Sequence, residues 1–282
     1  MKVSIIGTGQ IGKDLLCKLS KLQFVKIVAF VGRRKIMKEE ISDMVLSNDI
    51  IFSEKSINFF IDNPKCCDVV FDCTDASSAI INNNVFKEQQ IAIIDLTPSN
   101  LGNMYVPNIT LCDKHHLNMI TCGAQSCLPI LFYMKNNLKF IEYIEVVTQI
   151  SSESAGMATR VNIDKYIETT QYAISKITGI NNNKVILNLN PSKSCIMKTT
   201  IYISTQSQSE FCDFKDFVKT INNYIPNYIV SEPIQYSSNL LMIHINVIGS
   251  GDYISQNYGN LDIINCSAIH ALKQIHADLY KK

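Results

Sequence analysis

A chain of 282 residues, 46% of them hydrophobic and 18% charged, has the material for a large buried core and no compositional sign of disorder. Its 26 basic and 25 acidic residues leave a formal net charge of +1, which excludes the strong field of a protein built to bind nucleic acid or an anionic membrane. Residues 2–6 read as a strand at once, leaving no room for a signal peptide, and no apolar run reaches the roughly 18 residues of a membrane span, so a cytoplasmic location is expected.

Through the first half, apolar runs alternate with helical patterns. Residues 3–6, 26–31, 69–72, 91–96 and 119–121 read as strands, most without polar alternation, as in a parallel sheet covered on both faces. Helices fill residues 11–22, 36–46 and 78–88, which gives a doubly wound α/β domain of the Rossmann type. Beyond Pro129 the pattern changes. Strands are expected at 140–150, 184–189, 199–204, 228–234 and 240–247, with helices at 163–178 and 214–223. The expected division is a dinucleotide-binding domain over residues 1–125, onto which a C-terminal helix at 261–282 packs back, and an α+β catalytic and dimerisation domain over residues 126–260.

Ten cysteines would suggest disulfides in a short secreted chain, but at this length without an export signal they are expected to be reduced. Cys66 and Cys67 are adjacent and no Cys-x-x-Cys occurs, so no metal site is expected.

The first strand runs into Gly7-Thr8-Gly9-Gln10-Ile11-Gly12, a Gly-x-Gly-x-x-Gly turn that opens a helix. Gly7 suits the tight turn, Gly9 lets the backbone approach a pyrophosphate, and Gly12 permits close helix-to-strand packing, while the helix N-terminus supplies N–H groups to the anion. About 20 residues on, NAD-binding proteins commonly carry an Asp or Glu for the ribose 2′-hydroxyl. Here the sequence is Val31-Gly32-Arg33-Arg34-Lys35. Two guanidiniums and no carboxylate favour a 2′-phosphate, so NADP is the expected cofactor, with NAD as the alternative; the arginines also read as solvated loop residues.

Cys122, in Thr121-Cys122-Gly123-Ala124-Gln125, lies between a strand and a helix expected to begin near Gln125. A thiol near a helix N-terminus has its thiolate stabilised, and the same N–H groups can hold an oxyanion. Local sequence alone equally allows a buried, inert cysteine.

The chain as a whole resembles the acylating acetaldehyde dehydrogenases. The motifs that carry the resemblance include Ile5-Ile6-Gly7-Thr8-Gly9-Gln10-Ile11-Gly12, Val70-Phe71-Asp72-Cys73-Thr74, Ile94-Asp95-Leu96-Thr97-Pro98 and Met119-Ile120-Thr121-Cys122-Gly123. They continue with Ser154-Ala155-Gly156-Met157-Ala158-Thr159-Arg160-Val161-Asn162-Ile163-Asp164 and Tyr258-Gly259-Asn260-Leu261-Asp262-Ile263. The resemblance implies a nicotinamide-dependent enzyme that interconverts an aldehyde plus coenzyme A with an acyl-CoA, often joined to an aldolase. It implies Cys122 as the acyl-accepting nucleophile, and it assigns cofactor contacts to Gly7 through Gly12, to Thr74, to Ser154 through Asn162 and to Asn260. Asn162 and Ile163 also match positions at the aldehyde channel, and a homodimer is the expected assembly.

The chain departs from the family pattern in places that bear on function. Where the family carries an Asp thought to activate the thiol, this chain has Thr199, whose hydroxyl cannot serve as a base near neutral pH. Arg33 and Arg34 replace a family Asp region, Met157-Ala158 replaces Pro-Gly, and the loop after Gln235 is short. These changes point to reduction of an acyl-CoA or carrier-protein thioester with NADPH. NAD-linked acetaldehyde oxidation with an aldolase partner, or a nucleotide-binding homologue without catalysis, are the other readings. His115, His116, His244, His270, His276 and Asp252 are the alternative bases.

Overall fold

The computed structural model describes residues 1–34, 41, 45, 49–156, 160, 163–206 and 211–280. The chain divides into two compact units, Met1–Met119 with Asp252–Ile254 and Ala268–Lys282, and Ile120–Gly251 with Ser255–Ser267. The whole Cys122 helix therefore belongs to the second unit.

The first unit contains β1 (Lys2–Ile6), α1 (Gln10–Ser20), β2 (Lys26–Val31), β3 (Ile51–Ser53), α2 (Ile57–Asp62), β4 (Val69–Asp72), α3 (Ala76–Glu88), β5 (Ala92–Asp95), β6 (Asn103–Met104) and β7 (His116–Asn118). Its strands form one sheet in the order β3-β2-β1-β4-β5-β7-β6, and every pairing is parallel. Val3, Ile5 and Ile6 of β1 and all of β4 are buried, as strands sandwiched between helices must be. Ile6, Val31, Phe59, Phe60, Val70 and Phe86 pack in one core cluster. Register aligns the strand ends Ile6 with Val31, Ile6 with Asp72, Asp72 with Asp95, and Asp95 with Asn118. All the functional loops of this unit thus leave from one carboxyl edge, where open α/β sheets bind their ligands.

The second unit contains α4 (Cys122–Asn137), β8 (Tyr143–Ser151), α5 (Ile163–Thr178), β9 (Asn183–Asn190), β10 (Met197–Ser204), α6 (Phe214–Asn222), β11 (Tyr228–Val230), β12 (Ile234–Ser237), β13 (Leu240–Val247) and the start of α7 (Gly259–Tyr280). The sheet order is β11-β13-β10-β8-β9, with β12 on β13. Only β8 and β9 pair in parallel, joined through α5; the rest is antiparallel. Along β10 and β13 the residues Met197, Thr199, Ile201 and Ile203, and Leu241, Ile243, Ile245 and Val247, are buried. That period of two leaves the opposite face more open.

Two expectations are corrected. The strand placed at 119–121 lies at His116–Asn118 instead; Ile120 takes a positive φ of 66° and Thr121 caps α4, so the apolar stretch is a buried turn. The single strand expected at 228–234 is two, because Pro233, which has no N–H to give a ladder, falls between them. The helix expected at 36–46 lies outside the described residues apart from Ile41 and Val45, both buried.

Candidate active site

At the nucleotide turn each glycine has its own geometry. Gly7 has φ +109°, and a Cβ there would sit 2.4 Å from the Cys73 carbonyl oxygen. A Cβ at Gly12 would lie 1.9 Å from the Gly7 carbonyl oxygen, so α1 can approach the turn only without a side chain. A Cβ at Gly9 meets nothing within 4 Å. Gly9 is the α1 N-cap, and among the described residues no side chain caps that helix. Thr8 is half-buried with its side chain against Gly32, while Gln10 is exposed and Ile11 half-buried. Arg33 and Arg34 follow at the end of β2, both exposed. Arg33 is 75% exposed, with Nη2 3.4 Å from Asp75 Oδ2, a loose pair that leaves most of the guanidinium to solvent.

The carboxyl edge also holds two buried carboxylates that sequence reading quoted only as parts of motifs. Asp72 accepts hydrogen bonds from the Thr74 N–H at 3.0 Å, from the Thr74 hydroxyl, and from Asn82 Nδ2 at 2.8 Å. Asp95 accepts from the Thr97 N–H at 2.7 Å, from the Ser99 hydroxyl, and from Asn118 Nδ2 at 3.1 Å. These bonds fold the Thr74 and Thr97 loops back onto their strands. Burial and the neighbouring Asp95 carboxylate push Asp72 up to about 7. Thr74 is thus tied to Asp72 through both its hydroxyl and its N–H.

Cys122 is the first residue of α4, three positions earlier than expected, because the Thr121 hydroxyl accepts the Ala124 N–H at 3.0 Å and caps the helix there. The residue as a whole is half-buried. Its Sγ lies 3.7 Å from the Tyr166 hydroxyl on α5. Burial pushes the thiol up to about 11, against the pull of the Tyr166 hydroxyl and of the Gly123 and Cys122 backbone N–H groups. Desolvation is the largest influence on this thiol, and the N–H groups at the helix start oppose it.

Thr199 does not reach the sulfur through any hydrogen bond. Its hydroxyl is 2.8 Å from Ser126 Oγ and 3.3 Å from Thr148 Oγ1, all buried, and Ser126 donates to the Gly123 carbonyl at 2.9 Å. The threonine thus anchors α4 on the sheet. Of the alternative bases, His244, Asp252, His270 and His276 have partners other than the sulfur. His244 lies on the more open face of its sheet, 3.1 Å from Thr200 Oγ1, opposite to the face that carries Thr199 and Ile245. Asp252 pairs with Lys18 at 2.8 Å and with Lys21. His270 bonds Tyr105, His276 stacks on Phe24, His115 is exposed, and His116 is buried 3.9 Å from Asp95.

Ser154 and Ala155 are buried in the turn after β8, and Gly156 is exposed with open space where a Cβ would be. Arg160 turns back into its own loop, with Nε donating to the Ala155 carbonyl at 3.0 Å and Nη2 donating to the Ser152 carbonyl. Met157, Ala158, Thr159, Val161 and Asn162 lie outside the described residues. Asn260 is buried, and its Oδ1 has no hydrogen-bond partner among the described residues.

Residues 122–255 match the family model described as prokaryotic acetaldehyde dehydrogenase, dimerisation. An acetaldehyde dehydrogenase of Spirochaeta aurantia is 39% identical, covering 95% of this chain and 92% of its own. One from Burkholderia thailandensis is 37% identical, covering 98% of this chain and 95% of its own. The chain belongs to the acetaldehyde dehydrogenase family. Membership makes it an oxidoreductase of the acylating aldehyde dehydrogenase type, and the family's dimerisation region falls on its second unit except for Asp252–Ile254. The fold is shared more widely. Aspartate semialdehyde dehydrogenase II of Vibrio cholerae, solved with ASA, superposes with a TM-score of 0.68 at 11% identity, covering 99% of both chains. The Candida albicans aspartate semialdehyde dehydrogenase solved with NADP gives 0.61 at 13% identity, covering 98% of this acetaldehyde dehydrogenase homologue and 99% of that chain.

Proposed function

We propose that this protein reduces an acyl thioester to an aldehyde with NADPH, using Cys122 as the acyl-accepting nucleophile. The observation that carries the reading is the Cys122 thiol at the first position of α4, on a half-buried residue and 3.7 Å from a buried tyrosine hydroxyl. Coenzyme A, or a phosphopantetheine on a carrier protein, is the leaving thiol. The balanced reaction is acyl thioester + NADPH + H⁺ → aldehyde + thiol + NADP⁺. The Cys122 thiolate attacks the thioester carbonyl carbon; the new C–S bond forms, the old one breaks, and the carrier thiol departs. The Cys122 and Gly123 backbone N–H groups at the helix start suit the oxyanion of that tetrahedral intermediate. When bound, the dinucleotide supplies a hydride to the enzyme thioester. The thiohemiacetal on Cys122 then collapses to aldehyde and returns the sulfur.

The chain's residues fit such a cofactor. In the first unit the turn at Gly9, where a Cβ would meet nothing within 4 Å, suits a pyrophosphate. The exposed Arg33 and Arg34, with no carboxylate at the end of β2, support preference for the 2′-phosphate of NADPH. The protein works as a homodimer through its dimerisation region, in the cytoplasm.

The test is absorbance-followed turnover of acetyl-CoA and bulkier acyl-CoAs with NADPH or NADH. Wild type is expected to turn over with NADPH in preference, and Cys122→Ala to lose turnover. Arg33→Ala with Arg34→Ala should weaken NADPH binding by about tenfold or more and leave NADH unchanged, since hydrogen bonds to charged groups contribute roughly 1.5–3 kcal/mol. Preference for NADH would instead favour NAD-linked oxidation of acetaldehyde; its 33–39% identical relatives carry the name acetaldehyde dehydrogenase. Cofactor binding without turnover of any donor would reject catalysis.

A further inference from the structure

We infer that Tyr166 is the hydrogen-bond donor that stabilises the Cys122 thiolate, a role that rests on Cys122 being the nucleophile. The thiol needs such a partner. It is desolvated, and no cation or carboxylate is among the groups that shift it. The hydroxyls nearby are committed to one another: Thr121 to Thr170 at 2.7 Å, Ser126 to the Gly123 carbonyl, and Thr199 to Ser126 and Thr148. Tyr166 Oη, 3.7 Å from Sγ, is the side-chain hydroxyl that meets the sulfur.

Two observations bear on its direction. Tyr166 is 5% exposed, with its ring inside the fold. Burial and the nearby thiols hold the phenol well above its ordinary value, so it stays protonated and acts as a donor, never as the base that takes the thiol proton. The local sequence reflects the contact. A Cβ at Gly123 would stand 2.1 Å from Tyr166 Oη and 3.1 Å from Cζ, so glycine beside the cysteine makes room for this hydroxyl. The other titratable group facing it is Cys127 on α4, which burial keeps neutral.

The experiment is the pH dependence of Cys122 alkylation by iodoacetamide between about pH 7 and 10, read by peptide mass spectrometry on full-length protein. Losing a hydrogen bond to a charged group raises the thiol by about one to two pH units. The remaining thiolate is intrinsically more reactive with a Brønsted slope of roughly 0.4–0.5, so Tyr166→Phe should slow alkylation about three- to tenfold at each pH. Gly123→Ala, which displaces the hydroxyl without deleting it, should shift the profile the same way and serves if Tyr166→Phe folds poorly. Superimposable profiles for wild type and both variants would overturn the inference. Alkylation is independent of turnover, so failure of the nucleophile reading shows separately, as thioester reduction that survives Cys122→Ala.

Discussion

On the proposed mechanism, the Cys122 thiol sets the pH dependence of the reaction. Burial raises it from an ordinary value of 9.0 to about 11, so the reactive thiolate is scarce at neutral pH and accumulates as pH rises. At pH 7 the thiolate fraction is on the order of 10⁻⁴, against about 10⁻² for an unperturbed thiol. Each higher unit of pH recovers about tenfold until the midpoint is reached. The second-order rate with acyl-CoA, kcat/KM at saturating NADPH, should therefore climb with a slope near one in log units from about pH 7 to 10. The assay is initial nicotinamide oxidation at limiting acyl-CoA, with Cys122 alkylation followed in parallel on the same protein. The two lines should run together, because both report one ionisation of the free enzyme. A plateau below about pH 9 in both measurements would show that the helix N-terminus outweighs desolvation, and would refute the reasoning.

Removing the hydroxyl that anchors α4, by Thr199→Val, should lower stability by about 1–2 kcal/mol in denaturant unfolding, since the hydroxyls of Ser126 and Thr148 lose a buried partner. The same variant should leave the Cys122 alkylation profile in place; a large fall in alkylation would give Thr199 a direct role at the sulfur. Asp72 predicts an unusual stability profile. Its folded value, near 7, lies above the ordinary 3.8, so the folded state binds the extra proton. Its stabilising contribution is full below about pH 4 and is lost as pH rises through 7, the reverse of a salt-bridged aspartate. Thermal unfolding midpoints should fall between pH 5 and 8, and Asp95→Asn should flatten that fall by removing the neighbouring charge; a midpoint that rises across this window would count against the pair.

Much of the fold was legible because its causes are local. The apolar runs 26–31 and 69–72 coincide with β2 and β4, and the 3.6-residue pattern at 163–178 coincides with α5. The misses have physical reasons. β3 and α2 are too short to carry a period. Residues 119–121 are apolar because the turn is buried, and burial without alternation cannot separate a strand end from a buried turn. At the site, Gly7 and Gly12 could be read in advance because each answers a backbone constraint. The Asp72–Asp95 pair and the contact of Tyr166 with Cys122 could not. They join residues 23 and 44 positions apart, through register and helix packing that no local pattern encodes. The glycine after Cys122 was the one available trace of the tyrosine, since it marks a place where something must come close.

A high thiol value also bears on direction. In exchange between two thiols, the one with the lower pKa leaves faster. When the Cys122 sulfur and a carrier thiol are both bonded to one tetrahedral carbon, desolvation of Cys122 makes it the poorer leaving group, and the intermediate partitions toward expelling the carrier. That favours loading the enzyme from a thioester, the first step of the proposed reduction, over unloading it onto a free thiol. The same property would hinder the last step, when the sulfur must leave the thiohemiacetal. A donor that meets the departing sulfur answers this difficulty, and the Tyr166 hydroxyl occupies that place. Tyr166→Phe should therefore slow aldehyde release as well as acylation. In rapid-quench experiments with excess acyl-CoA and NADPH, the variant should accumulate covalently modified Cys122 to a higher level than wild type; an unchanged level would confine the tyrosine to the acylation step.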